Sequence, residues 1–211
     1  MIIDVIIPTL LRPCLMKLLI SLGEQTYKDF GIIVSPDLYG GFIQKTRNQG
    51  VKRSKADIIL FTDDDCIADP LWIENYAKAW AVAPKEVGAI QGWHDMRDKG
   101  ILWGFGGYNM SFRRDVLVEL GGFDEDFPFH GDGQGITGTW REETELAWHL
   151  LHNGYHVLYC PEARVAHHPH LHAHTVPNLE NEIYLCDKYP EFYEVSDLPG
   201  KIEEDKSTTH D

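Results

Sequence analysis

A β-branched apolar run, Ile2 to Ile7, stops at Pro8-Thr9 and is followed at once by leucines at helical spacing, and this strand-then-helix pattern returns along the first half of the chain. Pro13 opens the first helical segment, with Leu15, Leu18, Leu19 and Leu22 on one stripe before Gly23. Gly31 to Ser35 reads as a second strand and Gly41 to Lys55 as a polar helix. Asp57 to Thr62 is an apolar strand that runs into three aspartates. Asp69-Pro70 then has the chemistry of a helix start, with the helix continuing through Trp80, and Val87 to Gln91 is a fourth strand. Strands that are apolar on both faces must be covered on both faces. The pattern therefore predicts an α/β fold with a Rossmann-like, mostly parallel sheet flanked by helices, in which ligands gather at the carboxyl ends of the strands. Thr9, Asp37 and Asp63 fall at such ends.

The second half reads differently. Glycine and aromatic residues dominate from Gly92 to Gly138, with a short helix from Arg113 to Leu120 stopped by Gly121-Gly122. Glu142 to Asn153 has a helical pattern ended by Gly154, Tyr155 to Cys160 a strand pattern, and Asn178 to Lys188 a helical one. The polar stretch 201–211 lacks the apolar residues of a core and reads as a disordered tail.

Charge narrows the function classes. With 19 basic against 33 acidic residues the net charge is −14, which repels a phosphate backbone and argues against nucleic acid as a partner. The same excess suggests that a bound diphosphate would need a divalent cation, Mn²⁺ or Mg²⁺, to screen the carboxylates near it. Cys14, Cys66, Cys160 and Cys186 have no paired spacing, so we read them as buried thiols in a reducing, cytoplasmic setting. Asp4 interrupts the opening apolar run, which fits neither a signal peptide nor a membrane span, and the expectation is a protein that is soluble or peripheral to a membrane surface.

Three motifs carry chemistry. Asp63, Asp64 and Asp65 repel one another unless a cation or hydrogen-bond donors stabilise them, and hard divalent ions suit their oxygens. Taken alone they would equally suit a solvated acidic turn. Glu142, Glu143 and Glu145 open a helix, where the macrodipole favours carboxylates; one of them would also serve as a general base toward a hydroxyl. From Val165 to His174 five histidines crowd together, with His168, His170, His172 and His174 alternating as on one face of a strand. His167 is our first choice among them as a metal ligand, ahead of His168.

In sequence order these segments resemble glycosyltransferase family two, the inverting enzymes of the GT-A fold. The likeness runs from Ile2 to about His168. It rests on Asp4-Val-Ile-Ile-Pro-Thr9, on Leu22 to Phe30, on Lys45-Thr-Arg-Asn-Gln-Gly50, and on Ile59 to Asp65, which matches the family's D-x-D motif. Tyr108 to Arg114, Leu120 to Glu125, and Arg141 to Leu146 with Asn153-Gly-Tyr155 complete it. The resemblance implies one domain over 1–200, with a nucleotide-sugar-binding half, 1–92, and an acceptor and catalytic half, 93–200.

Carried over residue by residue, it implies that Thr9, Asp37 and Arg47 contact the nucleotide. Asp63 and Asp64 would face the base and ribose, Asp65 and His167 would hold the metal, and Asn109 would lie near the donor sugar or acceptor. Glu143 is the implied catalytic base, with Glu142 in reserve. The implied activity is transfer of a sugar from a nucleotide diphosphate sugar, a UDP-sugar foremost, to a glycan, lipid-linked or protein-linked hydroxyl in glycan biosynthesis. A sugar nucleotidyltransferase or a non-catalytic metal- or sugar-binding module is the competing reading. The chain departs from the family where Ser35-Pro-Asp37-Leu keeps a single carboxylate, where Glu142-Glu143 replaces a Glu-Asp pair, and where the stretch from Phe127 to Trp140 is longer and richer in glycine.

Overall fold

The computed structural model describes residues 1–94, 105–128, 141–168 and 179–195. Strands β1 (Ile3–Thr9), β2 (Phe30–Pro36), β3 (Ile58–Phe61), β5 (Val87–Gly92), β6 (Met110–Arg113) and β7 (His156–Cys160) form one sheet in the order β2-β1-β3-β6-β5-β7. A second, two-stranded sheet pairs β4 (Cys66–Ala68) with β8 (Val165–His167). The helices are α1 (Leu15–Gly23), α2 (Ile43–Arg53), α3 (Trp72–Val82), α4 (Arg114–Glu119), α5 (Glu142–His152) and α6 (Leu179–Lys188), followed by a 3-10 turn, Pro190–Val195.

The expected mostly parallel α/β sheet is met: β1 pairs in parallel with β2 and β3, and β5 with β7. Strand β6 is the exception, antiparallel to both neighbours, β3 and β5. It was not foreseen, because its four residues follow a glycine-rich stretch and their pattern is too short to show a period. Two apolar layers cover the sheet. Ile3, Val5, Ile7, Ile58 and Leu60 face α1 and α3 through Leu18, Leu22, Trp72 and Tyr76. Ile6, Ile59, Phe61 and Phe112 face the opposite layer with Val51 of α2, Leu117 of α4, and Leu146 and Trp148 of α5. The period of two in each strand thus feeds both cores at once, which is why the strands read as continuously apolar.

Strand order turns around at β1, with β2 on one side and β3 on the other. That is where an open α/β sheet leaves a crevice at its carboxyl edge. The β1–β3 register pairs Ile6 with Phe61, and three residues further on it brings Thr9 level with Asp64. On the other flank Thr9 is paired with Pro36, and the Asp37 N–H donates to the Thr9 carbonyl at 2.8 Å. Helix α3 opens at Trp72 rather than at Asp69; the Asp69 carboxylate instead accepts the Leu71 N–H at 2.9 Å and closes the turn ahead of the helix. Residues 66–68 form β4 because β8 arrives beside them from about a hundred residues away.

Candidate active site

Each aspartate after β3 has a different partner. Asp64 is buried and turns back to β1. It accepts the Thr9 hydroxyl at 2.5 Å and the Arg12 guanidinium on its other oxygen, with the Cys14 thiol at 3.8 Å. Its two oxygens therefore hold the β1 exit loop, where Leu11 takes a left-handed backbone at φ 57°. Asp63 is half-buried and lies 3.6 Å from the Arg47 guanidinium. Burial raises its carboxyl above the ordinary value, and Arg47 is the main opposing charge.

Asp65 faces β8. His167 Nε2 lies 3.4 Å from Asp65 Oδ1, and the His168 N–H donates to the Asp65 carbonyl at 3.1 Å. Burial alone would raise the Asp65 carboxyl, but the His167 hydrogen bond and the charges of His167 and Arg12 outweigh it and hold it below its ordinary value. The His167 ring is stacked on Tyr108 with centroids 4.5 Å apart, which fixes its plane. One ligand atom each from Asp65, Cys66 and His167 lies within 4.8 Å of the others. A carboxylate and an imidazole suit Mn²⁺ or a similar ion, and the Cys66 thiol is held protonated by burial, so the donors present fit a divalent cation through oxygen and nitrogen. His170, His172 and His174 lie outside the described residues, as do most of the long segment before Trp140 and the tail 201–211.

Arg47 joins this acidic turn to α5. It is buried, with Nη1 2.7 Å from Glu142 Oε1 and Nη2 3.5 Å from the Gly107 carbonyl, and its guanidinium lies over the Phe123 ring at 5.2 Å. Burial disfavours its charge, but Glu142, Asp63 and Glu143 together more than offset that and keep it protonated. Gly107 has to be glycine here: a Cβ would meet Arg47 Nη2 at 2.8 Å and Glu143 Oε1 at 3.3 Å.

Glu142 and Glu143 start α5, and the start is held from behind. Arg141 takes a left-handed backbone at φ 74°, a conformation costing about 1 kcal/mol or more for a residue with a Cβ. Its buried guanidinium is anchored 3.1 Å from Glu182 of α6 and lies over Trp148. Glu143, unlike its neighbour, has no cation of its own among the described residues. Burial and the negative charge of Glu142 raise its carboxyl well above the carboxylate range, with Arg47 opposing. Oε2 of each glutamate is shielded from solvent and receives no hydrogen bond from another donor among the described residues. Glu145, one turn on, is buried and occupied by Lys188 at 2.9 Å and the Tyr189 hydroxyl at 2.6 Å.

Two sequence candidates are tied up elsewhere. The Asn109 amide accepts from Trp72 Nε1 and the Tyr76 hydroxyl and donates to the Trp93 and Ala163 carbonyls, which uses its full capacity inside the core. Asp37 accepts the N–H groups of Tyr39 and Gly41 and the Thr46 hydroxyl, closing the loop into α2. Sequence reasoning missed Arg12 and Tyr108 as site residues. Arg12 had a signal, a cation just past the end of the first strand, whereas Tyr108 is marked only by what folds against it.

A mostly parallel sheet with its switch point at β1 and an acidic turn beside it is the arrangement of the GT-A fold. Comparison with known proteins agrees. Residues 42–121 match the model of Glycosyl transferase family 2. A glucosyl-dolichyl phosphate glucuronosyltransferase from Haloferax volcanii is 26% identical, the match covering 59% of this chain and 47% of that one. The chain thus spans about half the length of the curated relative it matches. Among solved structures, the mannosyltransferase PcManGT from Pyrobaculum calidifontis in complex with GDP-Man and Mn²⁺ superposes with a TM-score of 0.65 at 19% identity, covering 82% of this chain and 58% of that one. S. aureus TarS 1-349 in complex with UDP-GlcNAc gives 0.64 at 14% identity, covering 89% and 66%. These two show the fold.

Proposed function

We propose that the chain catalyses inverting, metal-dependent transfer of a sugar from a nucleotide diphosphate sugar to an acceptor hydroxyl. The observation that carries this reading is the convergence of three elements at one crevice: the β1 and β3 exits, the Asp65–His167 pair, and the Glu142–Glu143 turn across Arg47. Asp65 and His167 are the residues that would hold a divalent cation. Such an ion, when bound, supplies positive charge against the diphosphate of the donor. Thr9, Asp63 and Asp64 border the nucleotide end, with Asp64 shaping the β1 exit through Thr9 and Arg12, and Asp37 ordering the adjoining loop.

Glu143 is assigned the base. It takes the proton of the acceptor hydroxyl as the acceptor oxygen bonds to the anomeric carbon, while the bond from that carbon to the diphosphate oxygen breaks and the nucleotide diphosphate leaves with the electron pair. A raised carboxyl is a stronger base than an ordinary one, which suits this step. A UDP-sugar is our first choice of donor, supported by the TarS complex, and GDP-mannose is its competitor, supported by the mannosyltransferase complex. The name of the curated relative supports a lipid-linked acceptor. No helix among the described residues is long and apolar enough to cross a membrane, so a lipid acceptor would be met at the membrane surface.

Calorimetric titration with UDP-GlcNAc and with GDP-mannose, each with and without Mn²⁺, tests the reading. The expected result is nucleotide-sugar binding that requires the metal. Metal binding indifferent to either nucleotide sugar would favour a metal-binding module and overturn it.

A further inference from the structure

Two adjacent glutamates at a helix start are chemically alike, and what distinguishes them here is one guanidinium. Arg47 Nη1 sits 2.7 Å from Glu142 Oε1, while Arg47 Nη2 and Glu143 Oε1 both border Gly107, where a Cβ would meet them at 2.8 and 3.3 Å; the ion pair is made with Glu142. Arg47 has little freedom to change partners. Phe123 covers its face at 5.2 Å, Asp63 lies 3.6 Å from Nη2, and the Gly107 carbonyl accepts from the same nitrogen.

We propose that Arg47 is a positioning residue that divides the work of the two glutamates: it clamps Glu142 as a fixed anion and so leaves Glu143 as the carboxyl that exchanges a proton with the acceptor. This rests on the assignment of Glu143 as the base and gives Arg47 a task distinct from nucleotide contact. Among the described residues, the charged groups facing Glu143 are Glu142 on its own helix and Arg47 on α2, with Asp63 beyond Arg47 at the β3 exit. Burial and the neighbouring Glu142 charge hold the Glu143 carboxyl high, with Arg47 opposing.

The signs follow from the charges. Replacing Arg47 by methionine removes the cation that favours ionised Glu143, so Glu143 gives up its proton at higher pH than in the unaltered protein. Replacing Glu142 by glutamine removes the anion that opposes ionisation of Glu143, so Glu143 then titrates at lower pH. The experiment is carboxyl titration by NMR of protein labelled with ¹³C at the glutamate side-chain carboxyls, on the unaltered chain, R47M, E142Q and the R47M/E142Q double variant. Glu143→Gln assigns the signal. The expected order of titration midpoints is R47M highest, the unaltered protein next and E142Q lowest, with the double variant below R47M.

In transfer assays R47M is expected to lower kcat about 100-fold, the lower end of what a positioned base contributes, to shift the acid limb of the pH profile upward, and to change the donor KM far less. An unmoved carboxyl titration with a raised donor KM would overturn the proposal and make Arg47 a nucleotide contact only. Should R47M fail to fold, the E142Q shift alone decides: an unchanged or raised Glu143 midpoint in that variant refutes the arrangement. The titration needs no turnover. If Glu143→Gln transfers sugar normally while the midpoint order holds, the base assignment fails and the Arg47 arrangement stands.

Discussion

Asp63 to Asp65 and the trio Glu142, Glu143 and Glu145 are both clusters of three carboxylates at the edge of an element, yet they are resolved in different ways. After β3 the three side chains diverge, toward Arg12 and Thr9, toward Arg47, and toward His167, so each of them meets a cationic or hydrogen-bonding group. On α5 two are enclosed, Glu142 by Arg47 and Glu145 by Lys188 and Tyr189, and one is left without a cation. Charge dispersed over separate partners leaves Asp65 low, as the metal ligand we propose would need to be. Burial and charge concentrated beside a carboxyl with no cation of its own raise Glu143, the residue we propose as the base. Composition is nearly the same in the two clusters; the neighbours decide the chemistry.

The comparison can be broken at its first cluster by Asp65→Ala. This variant is expected to lose Mn²⁺-dependent donor binding and about 1,000-fold or more in transfer rate, since a metal contributes several kcal/mol of charge stabilisation; calorimetry and initial rates with added Mn²⁺ check it. Full activity in D65A would remove the distinction between the clusters.

Glu143→Gln sharpens the second cluster. A loss of about 10²–10⁴-fold in kcat with donor KM nearly unchanged is expected. The same variant has a signature in stability. Because the folded state holds Glu143 well above its ordinary value, the protonated group contributes stability that is present below the unfolded carboxylate range and is lost as pH rises through the folded value. Asp124 has the opposite sign. Burial would raise it, but hydrogen bonds from Lys188 and Tyr184 hold it low, so its contribution is present above the ordinary value and lost as pH falls. Urea denaturation from acid to neutral pH should show the falling limb flattened in E143Q and the acid limb retained.

Glu145→Gln has the smallest expected effect. It keeps the shape but weakens the bonds from Lys188 and Tyr189, costing about 1–3 kcal/mol of stability for a buried hydrogen bond to a charged group, with the half-exposed Lys188 at the low end. Rates should change little. A large rate loss in E145Q with no loss of stability would mean that the enclosed glutamate takes part in transfer.

Much of this arrangement is legible before folding. The β-branched runs ending at Pro8 and at Thr62 announce buried strands, and polar residues just past them mark the edge where ligands collect. The glutamates before an amphipathic helical stretch announce its first turn. Other parts carry no local sign. Met110 to Arg113 is a strand because β3 and β5 leave a slot between them, and Cys66 to Ala68 is one because Val165 to His167 pairs with it. Asn109 stands in a family motif and reads as a site residue, yet Trp72, Tyr76 and two backbone carbonyls consume its amide.

What the amino-acid order determined by itself is the succession of strands and helices and the kinds of ionisable group delivered to the carboxyl edge of the sheet, because propensity and periodicity act over a few residues. Tertiary structure alone decided which carboxylate meets which cation: Arg47 is 95 positions from Glu142, and Arg12 is 52 from Asp64. Electrostatic interaction depends on distance in space and on exclusion of water, and neither can be read from position along the chain.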